Sequence, residues 1–191
     1  MELLTGSGLA LASGLNAYVP MLIIGLLGRF TSVLELPGEW AWITNEWVLV
    51  ILGVLLAVEI VADKVPAVDH VNDLLQTIVR PTAGGIVFTA GSGAVTPATT
   101  DPAEFFTSAA VVPFACGVVL ALLTHVGKST ARAGINLSTA GVGAPVASTV
   151  EDITSVALTI VALLLPVLVI VLVLAAALIG WRVQRRRRRP A

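Results

Sequence analysis

Between Ile153 and Trp181 the chain carries no charged residue, and Pro166 is the main interruption of an otherwise apolar run. A run well beyond about 18 residues without charge marks a segment that lies in hydrocarbon. Leu3 to Gly28 and Phe105 to Val126 repeat the pattern at shorter length, and Trp47 to Ala62 does so with Glu59 as its one charge. Composition agrees: 57% of residues are hydrophobic and 12% charged, against about 25% charged in a soluble domain, and mean hydropathy is +0.96. A cytosolic enzyme, a disulfide-stapled secreted module and a disordered chain are thereby excluded. Hydrocarbon offers no hydrogen bonds, so the backbone must satisfy itself as helices. The expected fold is all-α: a polytopic integral membrane helix bundle of about five transmembrane or partly re-entrant helices.

The formal charge of −1 hides a split. Residues 182–191 hold six arginines and no acid, leaving five basic residues against twelve acidic ones before them, a balance of −7. The expected division is a single integral membrane domain over 1–181 and a cytoplasmic polybasic tail over 182–191, near anionic headgroups. With five crossings the N-terminus lies outside and Arg29 inside. Glu2 and a hydrophobic segment that runs on through Leu27 argue against a cleaved signal peptide. The lone Cys116 excludes an internal disulfide and reads as a buried small hydrophobe. Trp40, Trp42 and Trp47 read as interfacial anchors.

Ionisable residues gather in two places. On a helical wheel Asp69, Asp73, Gln76, Arg80 and Gly84 fall on one face, and Pro81 kinks such a helix without scrambling it. Glu59 and Asp63, four residues apart, share a face just upstream. His125, Lys128, Arg132 and Asn136 form a second stripe if helix persists past Gly127 and Gly134. Ionisable groups at membrane depth are costly unless paired or hydrated. Each stripe therefore has two readings: a polar path or pocket for an ion, a proton or an anionic group, or an interfacial ion-pair network holding helices together. Glu151 and Asp152 read either as first-turn acids of the last long helix, capped by Ser148 or Thr149, or as acidic partners of Lys128 or Arg132. Asn16 and Pro20 interrupt the first span, where an unpartnered amide and a freed carbonyl line a cavity or seal a kink. Gly6, Ala10, Ala17, Gly25 and Gly28 suit close helix packing.

No spacing matches a zinc or iron motif, a phosphate-cradling loop or a nucleophile elbow. No catalytic residue, metal ligand or cofactor is assigned, and an enzyme is the less favoured class. The segments Gly14-Leu15-Asn16-Ala17-Tyr18-Val19-Pro20, Ala62-Asp63-Lys64-Val65-Pro66 with Asp69, Asp73 and Arg80-Pro81, and His125, Lys128, Arg132, Asn136 and Glu151-Asp152 resemble the bacterial membrane family catalogued as domain of unknown function 4126, over about residues 8–165. The resemblance implies an inner-membrane helical domain and carries no activity. The residues themselves point to a small transporter or channel-like carrier of an ion or small anionic solute. Its pathway candidates are Asn16, Glu59, Asp63, Asp69, Asp73, Arg80, His125, Lys128 and Arg132. The competing expectation is a non-catalytic accessory or assembly subunit of an envelope membrane complex. Expected partners are membrane lipids, further copies of the chain or other envelope membrane proteins; nucleic acid is not expected.

Overall fold

The computed structural model describes residues 1–32, 34–36, 38–64, 66–93 and 108–187, excepting the side chains of 66, 67, 69 and 70 and most beyond 175. Among these residues the chain forms seven α-helices, one short 3-10 helix and no strand. They are α1 (Glu2–Leu15), α2 (Tyr18–Phe30), the 3-10 helix Gly38–Thr44, α3 (Glu46–Ala62), α4 (Pro66–Gly91), α5 (Val111–Thr139), α6 (Ala144–Leu164) and α7 (Pro166–Arg187). Helices α5 and α6 are each long and apolar enough to cross a membrane, and the 3-10 helix with α3, bent by 57°, makes a third candidate.

The first apolar run does not cross as one helix. Asn16 takes an extended conformation (φ −145°, ψ 121°), and its Oδ1 accepts hydrogen bonds from the backbone N–H of Tyr18 at 3.0 Å and Val19 at 3.2 Å. An Asn capping the helix that follows ends one helix and starts another. Pro20 sits in the first turn of α2, where its missing N–H costs nothing. The chain then turns back. Gly25 of α2 lies against Ile43, Ile43 clusters with Ala90, and Gly91 lies against Gly6 of α1. The ends of the two helices, Met1 and Leu34 to Leu36, line one hollow. At 14 and 13 residues, α1 and α2 reach ~21 and ~20 Å, short of a bilayer core of ~30 Å. They form a helical hairpin with Asn16 at its tip, so Arg29 lies at the same end of the bundle as Met1 rather than the opposite one.

Helix α1 is the hub, packing on α2, α4, α5, α6 and α7. Its buried residues are Gly6, Gly8, Leu9, Ala10, Ala12, Ser13 and Gly14, so neighbouring backbones approach closely. A Cβ on Gly6 would stand 2.7 Å from the Phe88 carbonyl oxygen, and one on Gly14 would meet the Ala121 carbonyl. Between α4 and α5, Gly84 and Gly117 face each other, each with its carbonyl in the space a side chain would need.

Other expectations shift. The Ile153–Trp181 run breaks at Leu165, where the backbone leaves helical geometry before Pro166; α6 starts at Ala144, so Glu151 and Asp152 lie inside it instead of in its first turn. Helix α5 runs through Gly127 and Gly134 to Thr139, ending in a left-handed turn at Ala140 and Gly141. Trp40 is buried against Ile43 and Ala90, whereas Trp42 and Trp47 are exposed. Cys116 is exposed on α5, facing away from the bundle. Helix α7 continues past Trp181 to Arg187; the tail's side chains beyond Arg182 lie outside the described residues.

Burial is inverted relative to a soluble protein. Arg80, Glu59 and Asp63 are enclosed, while Val54, Val61, Leu75, Ile78 and Leu123 are more than half exposed. An apolar exterior around a small-residue and charged interior suits a bundle whose solvent is lipid. Gly84→Leu is expected to lower the thermal midpoint in detergent sharply or to abolish folding, because its side chain would push against the Gly117 backbone at a cost of about 1–3 kcal/mol or more. Gly53→Leu, on an open face, should leave the midpoint within a few degrees.

Candidate functional site

The polar residues meet around the hairpin tip. Arg80, on α4, is fully buried and donates from Nη2 to Glu59 Oε1 on α3 at 2.8 Å. Its Nη1 faces Asp73 Oδ1, one face-repeat earlier on α4, at 3.7 Å. The same Nη1 lies 3.1 Å from His125 Nδ1 on α5. A guanidinium only donates, so Nδ1 must accept and the ring hydrogen must sit on Nε2. Nε2 then donates to Thr77 Oγ1 at 3.1 Å, and the Thr77 hydroxyl passes its own hydrogen to the Asp73 carbonyl at 2.9 Å. The result is a directed chain from Arg80 through His125 and Thr77, with His125 as a neutral relay.

A second cluster lies beside the first. Asp63, just after α3, faces Lys128 Nζ at 3.8 Å and Arg132 Nη2 at 3.4 Å, both from α5. Glu151 of α6 accepts from the same two cations, from Lys128 at 3.0 Å and also from Arg132. Asn72 donates to the other oxygen of Asp63 at 2.8 Å. Lys128 also donates to the Leu15 carbonyl at 3.1 Å, placing a cation at the negative end of the α1 dipole. Across the tip, Asn16 Nδ2 donates to Asp152 Oδ1 at 2.9 Å. Asn16 thus caps α2 with its oxygen and binds α6 with its nitrogen.

Of the residues singled out by sequence, Asn16, Glu59, Asp63, Asp73, Arg80, His125, Lys128, Arg132, Glu151 and Asp152 come together here, from α3, α4, α5 and α6, the break between α1 and α2, and the turn after α3. Asp69 lies on α4, but its side chain is outside the described residues. Sequence reasoning did not assign Thr77 or Asn72 to the site. Thr77 had a signal, since it stands four residues from Asp73 and shares its helix face. Asn72 had none, because its partner Asp63 is reached only through the turn before α4.

Next to the network a cleft of about 370 Å³ opens between α4 and α5, lined by Val71, Asp73, Leu74, Thr77, His125, Ser129, Arg132, Ala133 and Asn136. Asn136 Oδ1 is buried there without a hydrogen-bond partner. Among the described residues no group of three or more His, Cys, Asp or Glu side chains is placed to hold a metal ion.

Glu59→Gln leaves Arg80 with Asp73, at the longer 3.7 Å, as its remaining anionic partner among the described residues, and breaking a buried pair from one side costs about 3–5 kcal/mol. Removing the exposed Arg29–Glu46 pair, 3.1 Å apart at the other end of the bundle, should cost under about 1 kcal/mol. Thermal or denaturant unfolding of Glu59→Gln and Glu46→Gln in one detergent checks that ordering.

No curated protein matches the chain, and no solved structure matches it. The family described as Domain of unknown function (DUF4126) matches it across residues 3–186, which takes in nearly all of α1 and α7 and every helix between them. The chain belongs to that family.

Proposed function

We propose that this protein is a small membrane carrier for an ion or small anionic solute, seated in the bacterial cytoplasmic membrane with its arginine tail on the cytoplasmic side. The observation that carries the reading is the cleft between α4 and α5, whose wall is continuous with the buried charges at the hairpin tip. Ionisable groups facing a cavity inside a helical bundle are the usual mark of a solute path. Helices that stop part-way through the bundle and place their ends among such groups recur in secondary transporters. Here α1 ends on Lys128 and α2 begins at Asn16.

One observation favours a second reading. Asp63, Lys128, Arg132 and Glu151 satisfy one another's charge, as a purely structural clamp would in an accessory subunit of an envelope complex. Such a clamp has no use for the neighbouring cleft, which is why the carrier reading ranks first.

Purified protein in liposomes, tested against protons, alkali cations, chloride, phosphate and small carboxylates, should move at least one of them well above protein-free vesicles. Ser129→Trp, which fills the cleft, should reduce that flux at least tenfold while the protein stays monodisperse and folded. A folded wild type that moves none of them, and that co-purifies with another membrane protein in fixed ratio, would replace the carrier reading with the accessory one.

A further inference from the structure

We infer that the species taken up in the cleft is a proton, loaded on Asp73, with Arg80 as a counter-ion shared between Asp73 and Glu59. This rests on the carrier reading and narrows it to one substrate class and one residue.

The charge balance points there. Asp63 and Glu151 are matched by Lys128 and Arg132. Among the described residues Glu59 and Asp73 share the single cation Arg80, so that triad carries one negative charge in excess. Asp152 stands apart, bonded to Asn16.

Geometry then separates the two carboxylates. Glu59 holds Arg80 at 2.8 Å with a side chain only 1% exposed. Asp73 stands at 3.7 Å with a side chain 20% exposed, and it lines the cleft. Asp73 is therefore the member of the triad that exchanges with cleft water.

The cations around Asp73 already have carboxylate partners within the protein. Arg80 is engaged by Glu59, His125 accepts from Arg80 and donates to Thr77, and Arg132 is engaged by Asp63 and Glu151. Lys128 points to Asp63, Glu151 and the Leu15 carbonyl. Among the described residues the facing titratable and charged groups are thus Glu59 and Asp63 from the α3 side, Arg80 on α4, His125, Lys128 and Arg132 on α5, and Glu151 on α6. A hydronium ion in the cleft gives its proton to an Asp73 carboxylate oxygen and leaves water behind. The neutral acid that results leaves Arg80 matched one-to-one by Glu59, so both states keep every buried cation paired. A proton also needs only one carboxylate, whereas a multivalent metal needs several ligands.

The test uses full-length protein in phosphatidylethanolamine–phosphatidylglycerol liposomes carrying a trapped pH dye, with an imposed pH gradient and the potential clamped by potassium and valinomycin. Wild type and Glu46→Gln should acidify the lumen at equal rates. Asp73→Asn should fall at least tenfold, and Asp73→Glu should recover most of the rate. Independently of any variant's folding, dicyclohexylcarbodiimide, which attacks protonated carboxyls in apolar surroundings, should label wild-type Asp73 by peptide mass spectrometry and block flux in step with labelling. Undiminished proton flux in folded Asp73→Asn overturns the inference, as does full labelling of another carboxylate with flux lost and Asp73 unmodified. Chloride or phosphate movement without proton movement overturns it too, while leaving the carrier reading standing. Absence of every flux from folded wild type overturns the carrier reading, and this inference with it.

Discussion

Arg80 is a guanidinium with no exposed surface, in a bundle whose outside is apolar. A buried guanidinium carries its charge into the bundle, so folding must bring negative charge to it. Glu59 arrives from α3, Asp73 from α4 itself, and His125 from α5 accepts from the same Nη1 that faces Asp73. Three helices are thereby fixed in relative rotation. Ser13 adds a fourth constraint by donating to the Arg80 carbonyl at 3.2 Å, which keys α1 to the same level of the bundle.

The hairpin depends on the same logic applied to backbone. Ending α1 and starting α2 inside the bundle leaves helix-terminal carbonyls and N–H groups that need partners. Lys128 serves the Leu15 carbonyl, and Asn16 serves the first N–H groups of α2. Ser155 on α6 donates to the Ala12 carbonyl at 2.9 Å, one turn back. The small residues of α1 are what allow these partners to reach. With larger side chains at Gly8 or Gly14, α5, α6 and α7 would stand too far away. Packing and electrostatics are therefore one design: close approach makes the pairs possible, and the pairs offset the cost of burying charge.

Much of this was legible in the sequence because it is local. The stripe from Asp73 through Gln76 to Arg80 and Gly84 follows from helical periodicity, and all four lie inward. His125, Lys128 and Arg132 follow in the same way, with the helix persisting across two glycines because its inner face packs on α1 and α4 and the exposed glycines cost only about 1 kcal/mol each. Glu151 and Asp152 were harder. Their place well inside α6 depends on where that helix begins, and the Gly- and Ala-rich residues before it read equally well as loop. Cys116 was misplaced because an apolar residue in a membrane helix faces lipid as readily as core.

By itself the sequence determined a helical membrane chain, the positions at which charge enters it, and the helix face each charge occupies. These rest on apolar transfer and 3.6-residue periodicity, which act within one segment. Only the tertiary structure decided that the first apolar run turns back at Asn16, that Arg80 chooses Glu59 over a closer contact with Asp73, and that Glu151 and Asp63 divide Lys128 and Arg132 between them. An apolar run of that length can cross or return at similar cost in hydrocarbon, and a carboxylate can pair with any cation it meets. Which happens is settled by the groups other helices bring to the same depth.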